Sequence, residues 1–410
     1  MIYWKKQKKI RRRERARRMK KIYFDHAATT FPKPDTVSEN IYHYIKEQGC
    51  NINRGCYNQA YQIEEQVYET RKMVCELFHG EDYKNVIFTR NVTESLNVIL
   101  KGFLKSGDHV IVSSMEHNAV MRPLVQLEKK GISFSRAICE PDGSLKIERL
   151  EECLRNNTKA VIMTHASNVC GTILPIEEVG KFCQKNHLKF VVDSAQTAGI
   201  LEIDMEKMNI DALAFTGHKG LMGPQGIGGF LITKEMAQQI EPLITGGTGS
   251  ISDQEETPIF LPDRFEAGTL NIPGILGLSA GLEWLKKTGM DKIRQKEQML
   301  TKQFLTGLKE IDDDRTKIRI VGKEGIEGRT GVVSIQTKTK EIAQAAYELD
   351  ERYGIMTRVG LHCAPSAHKT LGTYPIGTIR FSFGFWNTLE EVEFAVHALQ
   401  EMTEEMRDGI

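Results

Sequence analysis

None of the eight cysteines, at positions 50, 56, 75, 139, 153, 170, 183 and 363, stands in C-x-x-C spacing with another. That absence counts against a zinc ribbon and against a thioredoxin-type redox pair. No apolar run approaches the ~18 residues needed to cross a bilayer. The most suggestive stretch, 268–282, is uncharged but is broken by Pro273 and several glycines. The amino-terminal region has no apolar core and no small-residue cleavage site, so it is not a secretory signal. Without an export signal, most of the cysteines read as reduced core residues of a cytoplasmic protein. There is no internal repeat, and no low-complexity segment beyond the first twenty residues.

Net charge is also small, +1, but it is unevenly spread. Residues 1–21 carry twelve Lys/Arg against the single acid Glu14, a net of +11, which leaves −10 for the remainder. Such an arm can bind nucleic acid or an anionic membrane. A purine-rich ribosome-binding region translated in frame would encode the same residues, with Met19 as the start, and this reading is preferred. An acidic body of this size makes nucleic acid an unlikely partner except through the arm, and no membrane partner is expected. At 410 residues the chain is long enough for two lobes.

From about residue 84 short β-branched runs alternate with helical patterns. "NVIFTR" (85–90), "HVIVSS" (109–114), "KAVIMTH" (159–165), "KFVVD" (189–193), "DALAFTG" (211–217) and "GIGGFLI" (226–232) are expected strands. This alternation implies βαβ units and a mostly parallel, doubly wound sheet. After about residue 285 the pattern becomes one long helix, then "KIRIV", "GVVSIQ" and "GTIRFSF" as strands, and a last helix from Leu389, an α+β lobe.

Ligands of an open α/β sheet bind beyond the carboxyl ends of its strands. Those ends are unusually polar here: "RNVTES", "SSMEHNA", "THASNVCG", "VDSAQTAG" and "FTGHKGLMGPQGIGG". Lys219 leaves a strand end into a glycine-rich stretch with little bulk around it. A crowded lysine has its charged form disfavoured and becomes a usable amine toward an aldehyde cofactor. Alone it is equally a surface lysine in a flexible loop. Asp193 at a strand end can pair with a pyridinium nitrogen or merely cap a helix. Thr93 lies at an expected helix start, where amide groups favour a phosphate, and His117 can stack on a ring or relay a proton. Near the carboxyl end, "RVGLHCAPSAH" (358–368) is too broken by glycine and proline for a helix, and it sets Cys363 beside His362.

The ordered set "YFDHAATT", "NRG", "TRNVTESLN", "MEHNA", "HASNVCGT", "VVDSAQ", "TGHKG", "FEAGTLN", "RVGLHCAP" and "IRFSF" resembles class V, fold-type I pyridoxal-phosphate enzymes. Among them it is most similar to the cysteine desulfurase group that includes selenocysteine lyases, from residue 23 to the last helix. The resemblance implies an α/β fold-type I transferase. Its large domain (22–285) would hold a mostly parallel seven-stranded sheet flanked by helices, with the amino-terminal segment packed on the small domain. That smaller α+β domain (286–410) would carry the cysteine loop.

Pyridoxal 5'-phosphate is the cofactor so implied, with Lys219 its covalent anchor and base. Asp193 would contact the pyridine nitrogen, Gln196 the phenolic oxygen, and His117 the ring face. Thr93, Thr216 and His218 would hold the phosphate, with Thr269 reaching the same phosphate across a homodimer interface that shares the active sites. Asn168 would lie near substrate and cofactor, and Arg380, with Arg358 as a second candidate, would bind the substrate carboxylate. Cys363 would take sulfur from L-cysteine (or selenium from L-selenocysteine) and pass it to an acceptor protein, leaving alanine. Its thiolate would need a neighbouring cation or proton acceptor, for which His362 and His368 are the candidates.

Three departures stand out: Val92 where a second hydroxyl residue is common, Asn53 where histidine is common, and "APSAH" after the cysteine. Selenocysteine lyase and cysteine desulfhydrase are the alternatives on the same fold, and a class V aminotransferase or kynureninase-like enzyme is a more distant one. A metal site at His362, Cys363 and His368 is not expected, since adjacent residues of an extended chain point to opposite faces.

Overall fold

Strands form at each of the β-branched runs expected before residue 285, and two further strands form beside them. They are β1 (Ile22–Tyr23), β2 (Val86–Thr89), β3 (His109–Ser113), β4 (Ser133–Ala137), β5 (Thr158–Thr164), β6 (Lys189–Asp193), β7 (Ala212–Thr216) and β8 (Gly228–Ile232). The computed structural model describes residues 21–404 apart from 54, 252, 313–315 and 339; the basic arm and the start at Met19 lie outside the described residues. Strands β2 to β8 make a seven-stranded sheet in the order β2-β8-β7-β6-β5-β3-β4. It is parallel from β7 to β4, and β8 runs antiparallel to both its neighbours. Strand β4 has no counterpart in the sequence reading, because "SFSRA" at the sheet edge is half-buried and carries a charge.

Period-two alternation sends successive side chains to opposite faces. Val110, Val112, Ile162, Val191 and Phe230 pack on one side, and Ile111, Val161, Met163, Val192 and Phe215 on the other. Each fully buried side chain of this kind contributes about 1.5–3 kcal/mol. Strand β8 slides between its neighbours only because it carries glycine: a Cβ on Gly229 would come within 2.4 Å of the Ile87 carbonyl oxygen and 2.6 Å of the Phe215 ring.

Beyond the sheet, the expected long helix is broken at Gly289 (φ 87°) into Ile272–Thr288 and Met290–Ile311. The remaining strands are β9 (Ile318–Val321), β10 (Val332–Thr337), β11 (Ile355–Met356), β12 (Arg358–Gly360) and β13 (Thr378–Ser382). Four of them form an antiparallel sheet in the order β12-β13-β10-β9, covered by helices that bury Phe304, Leu349 and Leu399. Strand β1 pairs in parallel with β11, Ile22 opposite Ile355. The amino-terminal segment therefore starts on this second lobe and then runs toward the large sheet. Among the described residues no helix is long and apolar enough to cross a membrane.

Candidate active site

The carboxyl ends of β3, β5, β6 and β7 converge. Just past β7, Lys219 sits in a turn where bulk is excluded: a Cβ on Gly220 would lie 2.4 Å from the Ala198 carbonyl oxygen. The turn is clamped by the amino-terminal segment. Thr30 N and Thr29 Oγ1 each donate to the His218 carbonyl at 3.1 Å, Thr30 Oγ1 donates to the Lys219 carbonyl at 3.0 Å, and Lys33 Nζ donates to the His218 carbonyl at 2.7 Å. Burial lowers the Lys219 amine to about 8, Arg380 and Arg358 pushing the same way and Asp193 opposing. Sequence reasoning missed Thr29, Thr30 and Lys33; their signal was the polar, unstructured "ATTFPK" between a strand and a helix.

Asp193 ends β6, is 3% exposed and accepts from Ala195 N at 2.9 Å. Burial raises its pKa, and Lys219 partly offsets that. His117 caps the helix Asn118–Glu128, its Nδ1 accepting from Ala119 N at 3.0 Å. Burial first, then Lys219, lowers this imidazole to about 4, so it is neutral at pH 7. Behind it Glu116, another residue the sequence did not flag, accepts from Thr164 N at 3.0 and 3.1 Å and from Ser113 Oγ, tying the ends of β3 and β5 together. Burial lifts Glu116 to about 8. Gln196 Nε2 donates to the Ala27 carbonyl at 3.2 Å.

Thr216 Oγ1 and His218 Nδ1 are buried with no hydrogen-bond partner among the described residues. Thr93 is an exposed residue in the first turn of the helix Val92–Phe103, which Asn91 caps by accepting from Glu94 N at 3.0 Å. Val92, one of the departures, packs against the core instead of offering a hydroxyl. Thr269 is not brought to this cluster within one chain. It is exposed and lines a separate cavity of about 720 Å³ with Asn53, Arg71 and Glu266, none of whose walls come from Lys219, Asp193 or His117.

Arg380 on β13 is almost fully buried; its Nη2 donates to Asp25 Oδ1 at 2.8 Å and its Nη1 to the Asn168 carbonyl at 3.0 Å. Its Nε is buried without a partner among the described residues. Arg358 lies opposite it across the β12–β13 pair and reaches Asp25 Oδ2 at 3.6 Å. Asn168 Nδ2 donates to the His362 carbonyl at 2.8 Å, so its side chain serves the cysteine loop. Cys363 is exposed, and its carbonyl accepts from Asn118 N at 2.8 Å. His362 and Cys363 both take left-handed backbone angles (φ 47° and 57°), a strained pair for residues with side chains.

Two expectations about this loop are corrected. "APSAH" is not helix-free: Pro365, in a first-turn position where its missing N–H costs nothing, opens the helix Pro365–Thr370. His362 and His368 are not cations beside the thiol. They are buried, hydrogen-bonded to Thr378 Oγ1 (2.9 Å) and Thr373 Oγ1 (2.6 Å), and burial drives both well below neutral pH.

The sequence model of class-V aminotransferases matches residues 22–394. A probable cysteine desulfurase of Pyrococcus abyssi is 37% identical over 95% of this chain and 96% of its own length. The chain belongs to the class-V aminotransferases, in their cysteine desulfurase group. Another probable cysteine desulfurase, from Methanothermobacter thermautotrophicus, is 31% identical over 93% of this chain and 94% of its own. Among solved structures, the apo cysteine desulfurase of Thermococcus onnurineus NA1 superposes on this class-V member with a TM-score of 0.87, at 33% identity, covering 94% of this chain and 95% of that one.

Class-V aminotransferases of this group depend on pyridoxal 5'-phosphate, and the residues present fit it. The Thr216 hydroxyl and His218 Nδ1, buried without partners among the described residues, suit a phosphate. Buried Asp193 suits a protonated ring nitrogen, and the depressed Lys219 amine suits an aldehyde. In this class-V member those donors all stand at strand ends of one sheet.

Proposed function

We propose that this chain is a pyridoxal-phosphate-dependent cysteine desulfurase that converts L-cysteine to L-alanine and takes the sulfur onto Cys363 as a persulfide. The observation that carries the reading is the seating of the cysteine loop. Its backbone is held by Asn118 N, next to His117, and by Asn168 Nδ2, so the Cys363 loop is anchored to the large-sheet loops that carry those residues.

Bound there, pyridoxal phosphate supplies an aldehyde carbon and a ring that absorbs negative charge developing at the substrate Cα. Lys219 Nζ would be the amine for that aldehyde and would serve as the base for the Cα proton. Asp193 would keep the ring nitrogen protonated, Gln196 would meet the phenolic oxygen and neutral His117 would cover the ring. Thr93, Thr216 and His218 would hold the phosphate. Arg380, aided by Arg358, would take the substrate carboxylate with its unpaired Nε donor. The Cys363 sulfur attacks the substrate sulfur: an S–S bond forms, the substrate Cβ–S bond breaks, and its electron pair stays on the carbon skeleton, which is protonated to alanine.

The reading includes a homodimer with Thr269 completing the partner's phosphate site, supported by the exposed Leu243 and Ile244, which line a cavity with Thr269. It includes a large domain over 22–285 and a small one over 286–410, a cytoplasmic location, and an acceptor protein that must come to a loop held rigidly by backbone hydrogen bonds. The purified holoenzyme is expected to release one alanine per sulfide from L-cysteine with a thiol reductant. Pyruvate as product, or unchanged turnover in Cys363→Ala, would refute the reading.

A further inference from the structure

Among the described residues Asp25 is the one carboxylate hydrogen-bonded to Arg380, and it also reaches Arg358, so a single acid bridges both cations. Its place is fixed by backbone contacts on either side: Ser382 N donates to the Phe24 carbonyl at 2.8 Å, and Tyr23 Oη donates to the Asp25 carbonyl at 3.1 Å. Arg358 and Arg380 are direct cross-strand partners, so their side chains leave the β12–β13 pair on the same face. Arg380 is the more buried of the two, and its Nε is a buried donor with no partner among the described residues. Arg358 is half exposed and stands on the strand that leads into the Cys363 loop, toward the end of the site where the substrate side chain must lie.

We propose that Asp25 limits this site to one negative charge and thereby selects amino acids with an uncharged side-chain group. The inference rests on the reading of Arg380 as the carboxylate site. Two guanidinium groups and one carboxylate leave a local charge of +1, which the α-carboxylate of the substrate cancels. With Arg358 tied to Asp25, neither arginine of the pair is left over for a second anionic group, and such a group would face the Asp25 carboxylate itself. Asp25 acts through the two arginines and is a positioning and specificity residue. The thiol of L-cysteine is neutral over most of the physiological range, so it enters without penalty.

The test measures L-alanine and L-aspartate as competitive inhibitors of the holoenzyme, the two differing by one side-chain carboxylate. In Asp25→Asn the inhibition-constant ratio is expected to move toward L-aspartate by about tenfold or more, because a like charge is removed and Arg358 is released. Asp25→Glu should restore the wild-type ratio, and adding Arg358→Gln to Asp25→Asn should abolish the gain. Arg358→Gln alone should move the ratio the other way, which keeps the test open if Asp25→Asn does not fold. A ratio unchanged in Asp25→Asn, or both inhibitors weakening equally, would overturn the proposal. Arg380→Ala separates the two levels: lost L-alanine inhibition supports the carboxylate site, and unchanged inhibition refutes that site and the proposal with it.

Discussion

Replacing Arg71 by methionine should destabilise the fold by about 3–5 kcal/mol, because it strands a buried carboxylate. Arg71 and Glu266 form a two-pronged pair with side chains only 7% and 4% exposed. Glu266 also accepts from Phe88 N at 2.6 Å, Arg71 donates to the Val86 carbonyl, and its guanidinium lies 4.6 Å from the centre of the Phe88 ring. The pair thus fastens edge strand β2 to the segment that carries Thr269. Loss of about 4 kcal/mol in a chain of this length lowers the melting temperature by about 5 °C. Adding Glu266→Gln removes the stranded charge and keeps an acceptor for Phe88 N, so the double variant should recover about 2 kcal/mol. Urea unfolding of the wild type, Arg71→Met, Glu266→Gln and the double variant measures these differences. A double variant no more stable than Arg71→Met would show that the uncompensated charge is not the cause. Because the pair anchors Thr269, the single variant should also release cofactor faster on dialysis.

Other outcomes follow from the same geometry. Cofactor capture by the apoprotein should quicken about tenfold per pH unit and level off above about pH 8, since only the unprotonated Lys219 amine reacts and burial has brought it down to about 8. Stopped-flow absorbance checks this, and a rise continuing to pH 10 would contradict the lowered amine. Asn168→Ala removes the side-chain bond to the His362 carbonyl and should slow persulfide formation up to about fivefold, the worth of one hydrogen bond. L-Alanine affinity should not change, because the bond to Arg380 comes from the Asn168 backbone; weaker L-alanine binding would place the side chain at the substrate instead.

The large sheet was legible because buried parallel strands write themselves as apolar runs, and the polar strand ends marked Lys219, Asp193 and His117. Strand β4 was not, because an edge strand with one half-buried face lacks that signature. The clamp on Lys219 and the bridge from Asp25 to Arg380 join residues 189 and 355 positions apart, and nothing in local spacing encodes such contacts. "YFDHAATT" did stand out as a motif, but its tasks appear only once β1 is seen paired with β11, which carries the segment across the site. For His362 and His368, proximity in sequence suggested help for the thiol, whereas burial against two threonines makes them neutral supports of the loop.

The most direct test of the central claim is peptide mass spectrometry of the holoenzyme after one equivalent of L-cysteine without reductant. The account predicts one additional sulfur atom on the peptide containing Cys363, with one alanine released per site and no such peptide in Lys219→Ala. Sulfur on another cysteine, or alanine released with Cys363 unmodified throughout the turnover, would contradict it.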